Sequence, residues 1–334
     1  MRRSTAALAA LLVAAPALPH DGAASDPAAF LRLPTDARLM GLGQAQSTVA
    51  EGPDALAANP AGIAWQPAPG LKTTSGALGL DRSHIFLGAT YPFGFDFQGW
   101  EGSRRMRLAL GAGLTAFKIA NIEERSSYGL KTGTFDDSEQ AYHIAGGFKA
   151  TDSFSLGANG TILKQRMQSN AGGYTIDVGA LWRQTTGWGR IDTAYVMKSV
   201  KGYLDWELHD EGLNADFAYR ENLRSKHVVG FGYVPNAQWR LALDFVASDN
   251  ESGRLHLGSE WQILPQFHAR AGINSYDPTL GFGYEWGRGR VALAVDYAFH
   301  YAINGPAHTH WFTIGFKFLP GEPRSAEPGS NLVQ

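Results

Sequence analysis

Ionisable residues in the second half of this 334-residue chain fall on alternate positions of short segments, which places them on one face. Both signs of charge are present, at Arg240, Asp244, Arg254, His256, Glu260, Arg270, Glu285, Arg290 and Asp296. Histidine and carboxylate side chains can act as general acids and bases in catalysis, so a hydrolytic site is one interpretation. Arginines interleaved with carboxylates also form ion-pair networks that line an enclosed, wet interior.

A hydrolytic site also needs a nucleophile, and the sequence offers little. Ser259 and His227 share the opposite face, but they lie on non-adjacent predicted strands and outside any nucleophile motif. The sequence has no cysteine and shows no phosphate loop, dinucleotide fingerprint or metal-spaced cluster. We therefore predict no catalytic residue, no cofactor and no metal, and we favour the ion-pair network.

The elements that carry these charges are β-strands. From Gln238 to Phe318, polar residues alternate with apolar ones such as Leu241 and Leu243, as expected for strands with one apolar face. Fourteen segments of this kind are predicted at 70–80, 83–93, 105–118, 139–150, 153–165, 173–184, 188–199, 224–235, 237–248, 253–263, 266–275, 279–287, 289–301 and 308–318. Their length of about 10–13 residues exceeds that of soluble strands and suits tilted membrane strands.

Energetics decides which face meets lipid. An arginine facing lipid near the bilayer midplane costs about 2–4 kcal/mol, so four of them would cost on the order of 10 kcal/mol. Turned inward, the same side chains meet carboxylates. With short turns alternating with longer links such as 119–138 and 200–223, the pattern predicts an all-β fold over 69–318, a transmembrane antiparallel β-barrel of about 14 strands.

The N-terminus carries an export signal. Arg2 and Arg3 precede an apolar stretch over 5–17, so 1–25 is predicted to be a signal peptide, with Ala15-Pro16-Ala17 or Gly22-Ala23-Ala24 as the cleavage site. A barrel behind such a signal predicts the bacterial outer membrane as the location and its lipid as a partner. The net charge of −2 gives no reason to expect a nucleic-acid partner. Residues 319–334, rich in Pro, Gly, Ser and Glu, are predicted to be a flexible periplasmic tail.

Residues 26–68 lack strand alternation but contain the most specific local pattern in the chain. Asp36-Ala37-Arg38-Leu39-Met40-Gly41-Leu42-Gly43-Gln44-Ala45 is followed by Gly52-Pro53-Asp54-Ala55-Leu56 and by Asn59-Pro60-Ala61-Gly62. This resembles the N-terminal region of the FadL-like outer-membrane superfamily, and most closely its PorV/PorQ-type branch. The resemblance covers about 30 residues.

Fourteen strands enclose more space than wall side chains can fill. We therefore expect 26–68 to form a plug, or hatch, in the periplasmic half of the lumen, with a loose periplasmic strap as the alternative. The predicted hatch residues are Arg38, Gly41, Gly43, Asp54, Asn59, Pro60 and Gly62. Arg38 and Asp54 are expected to latch onto lumenal charges.

The resemblance implies passage of small hydrophobic molecules across the outer membrane. Its PorV/PorQ-type branch implies an alternative, in which the barrel is a non-transporting partner of secretion-system proteins. A third hypothesis is a structural or adhesive surface protein.

The predicted loop 200–223 combines aromatic and acidic residues. Tyr203, Trp206 and Phe217 are candidate contacts for a hydrophobic ligand or a partner protein, and packing of the loop on its own barrel rim is the alternative. Calcium binding by the loop carboxylates is a further alternative, although their spacing matches no EF-hand.

Overall fold

The computed structural model describes residues 26–99, 102–167, 169–210, 215–248, 251–303 and 305–319, and their side chains except at 95–99, 102–105, 208–210, 215, 216 and 251. The predicted signal peptide lies outside these ranges, as does the predicted tail after residue 319. The described chain begins with a 3₁₀ turn (Ala29–Arg32), a short helix α1 (Ala37–Gly41) and two further 3₁₀ turns (Gly52–Leu56 and Pro60–Trp65).

Strands make up the rest of the described chain. They are β1 (Gly70–Gly79), β2 (Arg82–Gly99), β3 (Gly102–Arg125), β4 (Lys131–Lys149), β5 (Phe154–Arg166), β6 (Asn170–Thr186), β7 (Gly189–Asp210), β8 (Ala215–Asn222), β9 (Lys226–Asn236), β10 (Trp239–Ser248), β11 (Glu251–Leu264), β12 (Phe267–Asn274), β13 (Asp277–Arg288), β14 (Val291–His300) and β15 (Thr309–Phe318).

The sheet closes on itself. β1 pairs with β2 on one side and with β15 on the other, so that Gly70 lies opposite both Thr90 and Lys317. β7 pairs with β8 along 203–210 and with β9 along 190–198, so β8 and β9 are two parts of one wall strand. The result is a closed antiparallel barrel with fourteen wall positions, which confirms the predicted fold class and strand number.

The two ends of the barrel differ. We call the end where β1 begins and β15 stops the terminal end, and the opposite one the hairpin end. The predicted loops 119–138 and 200–223 are wrong as loops, because most of their residues continue β3, β4 and β7 and form β8. Beyond the wall the backbone polar groups still need partners, and two neighbouring strands supply them by continuing to pair. At the terminal end, the β2–β3 hairpin also extends past its neighbours.

The outer face is apolar and the inner face is polar, as the alternation predicts. Large hydrophobic side chains are exposed on the outside at Phe231, Leu241, Leu257, Phe282 and Phe312, among others. The rings of Trp239 and Trp261 stack there with centroids 5.3 Å apart. Within the described ranges, no helix has the length and apolar character needed to cross a membrane.

Candidate functional site

The N-terminal segment lies inside the barrel as a plug. Its helix α1 begins at Asp36, whose carboxylate accepts a hydrogen bond from the Arg38 backbone N–H (2.7 Å) and caps the helix. The backbone N–H of Ala37 then donates to Thr313 on β15 (2.8 Å), and Thr74 on β1 donates to the Thr35 carbonyl (2.7 Å). The segment is therefore bonded to the inner wall and is not a loose strap.

The wall receives the plug through inward-facing glycines. A Cβ atom on Gly157 would lie 2.2 Å from the carbonyl carbon of Pro60, and one on Gly179 would lie 2.1 Å from Asn59 Oδ1. Plug atoms also lie within 3.2 Å of the Cβ position at Gly88, Gly111, Gly113, Gly147, Gly230, Gly232, Gly258, Gly272 and Gly281. We call these eleven residues the glycine belt; they lie on nine strands, so the plug fits the lumen closely around most of its circumference.

Asn59 holds the turn that carries Pro60. Its Oδ1 accepts from the Ala61 backbone N–H (3.1 Å), and its Nδ2 donates to the carbonyls of Ser47 (2.8 Å) and Ala180 on β6 (3.4 Å). Gly62 closes the turn by donating to the Asn59 carbonyl (2.9 Å). A side chain at Gly62 would collide with the Ala50 carbonyl, so this position requires glycine.

Gly41 and Gly43 sit where the plug meets β12 and β13. Gly43 has a left-handed backbone with φ +62°, and its N–H donates to Thr279 Oγ1 (3.1 Å). The same hydroxyl donates to the Gly41 carbonyl (3.2 Å). Both predicted glycines thus permit close approach between the plug and the wall.

Arg38 extends from the plug into the predicted charge network. Its guanidinium binds both oxygens of Glu260 on β11 at 2.7 and 2.8 Å. Arg270 on β12 donates to the same Glu260 (2.7 Å) and to Asp296 on β14 (2.6 Å). Arg240 lies at the margin, 3.9 Å from Glu260. A bidentate arginine–carboxylate pair fixes both distance and orientation, so this contact anchors α1 against the wall.

Asp54 is also an anchor, through a partner that sequence reasoning missed. Lys72 on β1 donates to both Asp54 and Asp36, and all three side chains are largely buried. Burial and the neighbouring Asp36 carboxylate raise the pKa of Asp54 to about 8. Burial also opposes ionisation of Asp36, but the Lys72 ammonium outweighs it and lowers the pKa of that carboxyl. The sequence feature that could have identified this partner is Lys72, a lysine on the inward face of β1.

Asp244 and His256 face the plug backbone. Asp244 on β10 accepts from the N–H groups of Gln46 and Ser47 (both 2.8 Å) and from the Ser47 hydroxyl (2.5 Å). His256 Nδ1 on β11 lies 2.9 Å from the Gly43 carbonyl. These two predicted residues therefore hold the plug by hydrogen bonds.

One more ion pair joins the plug to the wall, and the sequence pattern did not predict it. Glu51 in the plug lies 2.7 Å from Arg183 on β6. Burial opposes ionisation of this carboxyl, but the Arg183 guanidinium outweighs it and lowers the pKa of Glu51 to about 2. Both residues lie outside the region 238–318, where the alternation is clearest, so the sequence pattern gave no reason to pair them.

Some predicted residues lie elsewhere. Glu285 is exposed near the terminal end, and Arg290 is exposed in the turn between β13 and β14. Arg254 is half-buried on β11 and lines a lumenal cavity described below. Ser259 and His227 occupy β11 and β9, with β10 between them, and His227 Nδ1 is 2.7 Å from the Tyr195 hydroxyl.

The aromatic residues predicted as loop contacts lie on the β7–β8 hairpin. Tyr203 lies under the Arg220 guanidinium, 3.9 Å from its ring centroid, and Phe217 is exposed. Trp206 packs against a buried cluster inside the barrel mouth. In the described part of the chain, no group of three or more His, Asp or Glu side chains is arranged to hold a metal ion.

The first described residues reach the hairpin end, farther than the predicted periplasmic half. Asp26 pairs with Lys226 at the start of β9 and with Arg32. Phe30 is buried against Leu163, Leu204 and other wall residues and stacks on Phe117 at 6.4 Å. Residues 26–32 therefore form a cover over the lumen, above the plug.

Cavities lie beside the plug and on the outer face of the wall in the described structure. A chamber of about 120 Å³ lies between the cover, the plug and the wall, and its lining includes Ala28, Ala57, Lys198 and His256. A polar vestibule of about 240 Å³ opens toward the terminal end beside Arg240. An apolar groove of about 800 Å³ lies on the outer face, and its lining includes Phe231, Leu241, Leu257 and Ile273.

The fold is similar to that of solved hydrocarbon channels. A structure of the Pseudomonas putida toluene transporter TodX superposes with a TM-score of 0.53 and 12% identity, covering 83% of this chain and 97% of that one. The CymD monoaromatic hydrocarbon channel gives a TM-score of 0.54 and 11% identity, covering 86% and 98%. A TodX monoaromatic hydrocarbon channel ΔS2 mutant gives 0.53 and 13%, covering 85% and 98%.

Sequence comparison adds no relative. No family model matches the chain, and no curated protein matches it at a significant level. The structural similarity therefore shows the barrel fold alone, and the FadL-like assignment stays a prediction. The PorV/PorQ-type assignment stays a prediction.

Proposed function

We propose that this protein is an outer-membrane channel for small hydrophobic molecules. The observation that carries the proposal is a closed barrel with an apolar outer face whose lumen holds a plug seated against the glycine belt. An apolar solute gains nothing from a wide water-filled pore, whereas a plugged lumen offers a bound intermediate position. The proposal places the outer face in contact with outer-membrane lipid, and the structural similarity to TodX and CymD supports it.

The plug acts as the hatch in this proposal. Asn59, Pro60 and Gly62 form its turn, and Gly41 and Gly43 let it approach the wall. Its latches are the hydrogen-bonded contacts of Arg38 with Glu260 and of Asp54 with Lys72. Each latch joins a plug residue to a wall strand, so releasing it frees the plug without breaking the wall's own ladder of hydrogen bonds. A solute would then pass by a local shift of the plug.

Uptake of radiolabelled toluene into vesicles with a lipopolysaccharide outer leaflet tests the proposal. Vesicles that contain the protein should take up toluene faster than empty vesicles, and Asn59→Ala should change the rate. Asn236→Ala is the matched control, because Asn236 Oδ1 also caps a turn, accepting from Gln238 and Trp239, but outside the lumen. Equal uptake by empty and protein-containing vesicles would end the proposal.

A further inference from the structure

The chamber beneath the cover has about the size needed to hold one aromatic ring. Its volume is about 120 Å³, and an engineered apolar cavity of about 150 Å³ is known to bind benzene. Part of the lining is apolar, contributed by Ala28, Leu31, Ala57, Leu223 and Val228. The rest is polar, which a hydrocarbon alone would not require.

His256 supplies a free acceptor to this chamber. A backbone carbonyl can only accept, so the contact of 2.9 Å between Nδ1 and the Gly43 carbonyl means that Nδ1 carries the hydrogen. A neutral imidazole held in this tautomer presents Nε2 as an acceptor. Among the described residues, Nε2 has no hydrogen-bond partner.

Lys198 supplies free donors. Its ammonium donates to the Ala57 carbonyl, which uses one of its three hydrogens. Within the described ranges, no carboxylate oxygen lies within 4.0 Å of Nζ. Lys198 lines the same chamber as His256. A solute inside can therefore meet one acceptor and at least one donor.

Three other polar groups of the chamber already have partners. Asp244 accepts three hydrogen bonds from the plug. His143 lies 3.0 Å from both Thr115 and Thr161, and Asp177 accepts from the Ser199 N–H (2.8 Å). These groups are held in place by the fold, whereas His256 Nε2 and the Lys198 ammonium keep hydrogen-bonding capacity for a solute.

We infer that the chamber binds a singly hydroxylated aromatic ring, of the phenol class, in preference to the parent hydrocarbon. A hydroxyl donates to His256 Nε2 and accepts from Lys198, while the ring lies against the apolar wall. A carboxylate cannot donate to Nε2, and a hydrocarbon can do neither. The inference deepens the proposed function and rests on it, because the chamber is taken to be a station on the solute's path.

Titration of phenol and toluene into the purified protein in lipid nanodiscs, with empty nanodiscs as reference, tests the inference. Wild type should bind phenol about tenfold or more tightly than toluene, because a site built for a hydroxyl discriminates against a ligand that lacks it. His256→Leu and Lys198→Met should each bring the ratio close to one. His310→Leu is the control, since His310 bonds Tyr297 (2.9 Å) on the outer face, and it should keep the wild-type ratio.

Equal binding of phenol and toluene by wild type overturns the inference, and so does an unchanged ratio in both chamber variants. Retarded migration of unheated protein on gels confirms that each variant is folded. Phe30→Ala loosens the cover and so eases the entry of phenol into the chamber. Absence of phenol binding to both this variant and the wild type therefore also overturns the inference. Binding is measured without transport, so a failure of toluene uptake would refute the proposed function while leaving the phenol preference in place.

Discussion

Replacement of Asn59 by alanine should loosen the plug and leave the barrel intact. The change removes the bond to the Ala61 N–H at the start of a 3₁₀ turn, and loss of such a cap costs about 0.5–2 kcal/mol. It also takes the side-chain donor from the buried Ser47 carbonyl, which costs about 1–3 kcal/mol if no other donor replaces it. Together these lower the free energy of plug opening by about 1.5–5 kcal/mol.

Hydrogen exchange followed by mass spectrometry measures this effect directly. A loss of about 1.5–5 kcal/mol corresponds to exchange that is about 10- to 4,000-fold faster in peptides covering 52–66, since each 1.4 kcal/mol is a factor of ten. Peptides from β10 to β15 should be unaffected. Asn236→Ala removes an equivalent cap from the exposed β9–β10 turn and should leave 52–66 unchanged.

Two results would refute this reasoning. Unchanged exchange over 52–66 in Asn59→Ala would mean that the bonds of Asn59 do not hold this part of the plug. Similar acceleration in both variants would mean that the barrel as a whole, and not the Asn59 turn, had been weakened.

Two further predictions concern the charges. The pKa of Asp54 is raised to about 8 from 3.8, so the seated plug holds this proton more tightly than a released plug does, and the stability of the plug falls as pH rises from about 4 to about 8. Asp54→Asn should reduce this pH dependence, measured as hydrogen exchange of the plug at pH 5 and pH 8 after correction for intrinsic rates. An identical pH dependence in the variant would contradict the prediction. Arg270→Met should lower the free energy of unfolding by about 3–5 kcal/mol in urea titrations, because it breaks a buried network. Arg220→Met, which breaks an exposed pair, should leave that free energy nearly unchanged, and equal effects of the two would rule out the network as a stabilising element.

The secretion-partner hypothesis and the surface-protein hypothesis stay untested predictions. The solved structures described above are named as channels or transporters, which bears on the fold and not on either of these roles. Co-purification from intact outer membranes with a larger secretion channel would favour the first of them over the proposed transport.

The inward placement of Arg270 and Asp296 could be predicted from sequence because it is local. Strand side chains alternate with period two, and the energetic cost of an arginine in lipid chooses the face. The prediction of a loop at 200–223 is wrong because a polar, aromatic hairpin that extends beyond the barrel wall loses the one-sided apolar pattern while keeping its backbone pairing.

The sequence by itself determined a closed barrel, its approximate strand number and an N-terminal segment suited to fill it. Only the tertiary structure decided the partners of that segment: Lys72 for Asp54, Arg183 for Glu51, and a wall glycine opposite Asn59. The reason is physical, because alternation is set by neighbours two residues apart, whereas plug contacts join residues separated by as many as 276 positions in the chain. Those contacts depend on the stagger of the strands and on the path of the plug, and no local sequence pattern specifies either of them.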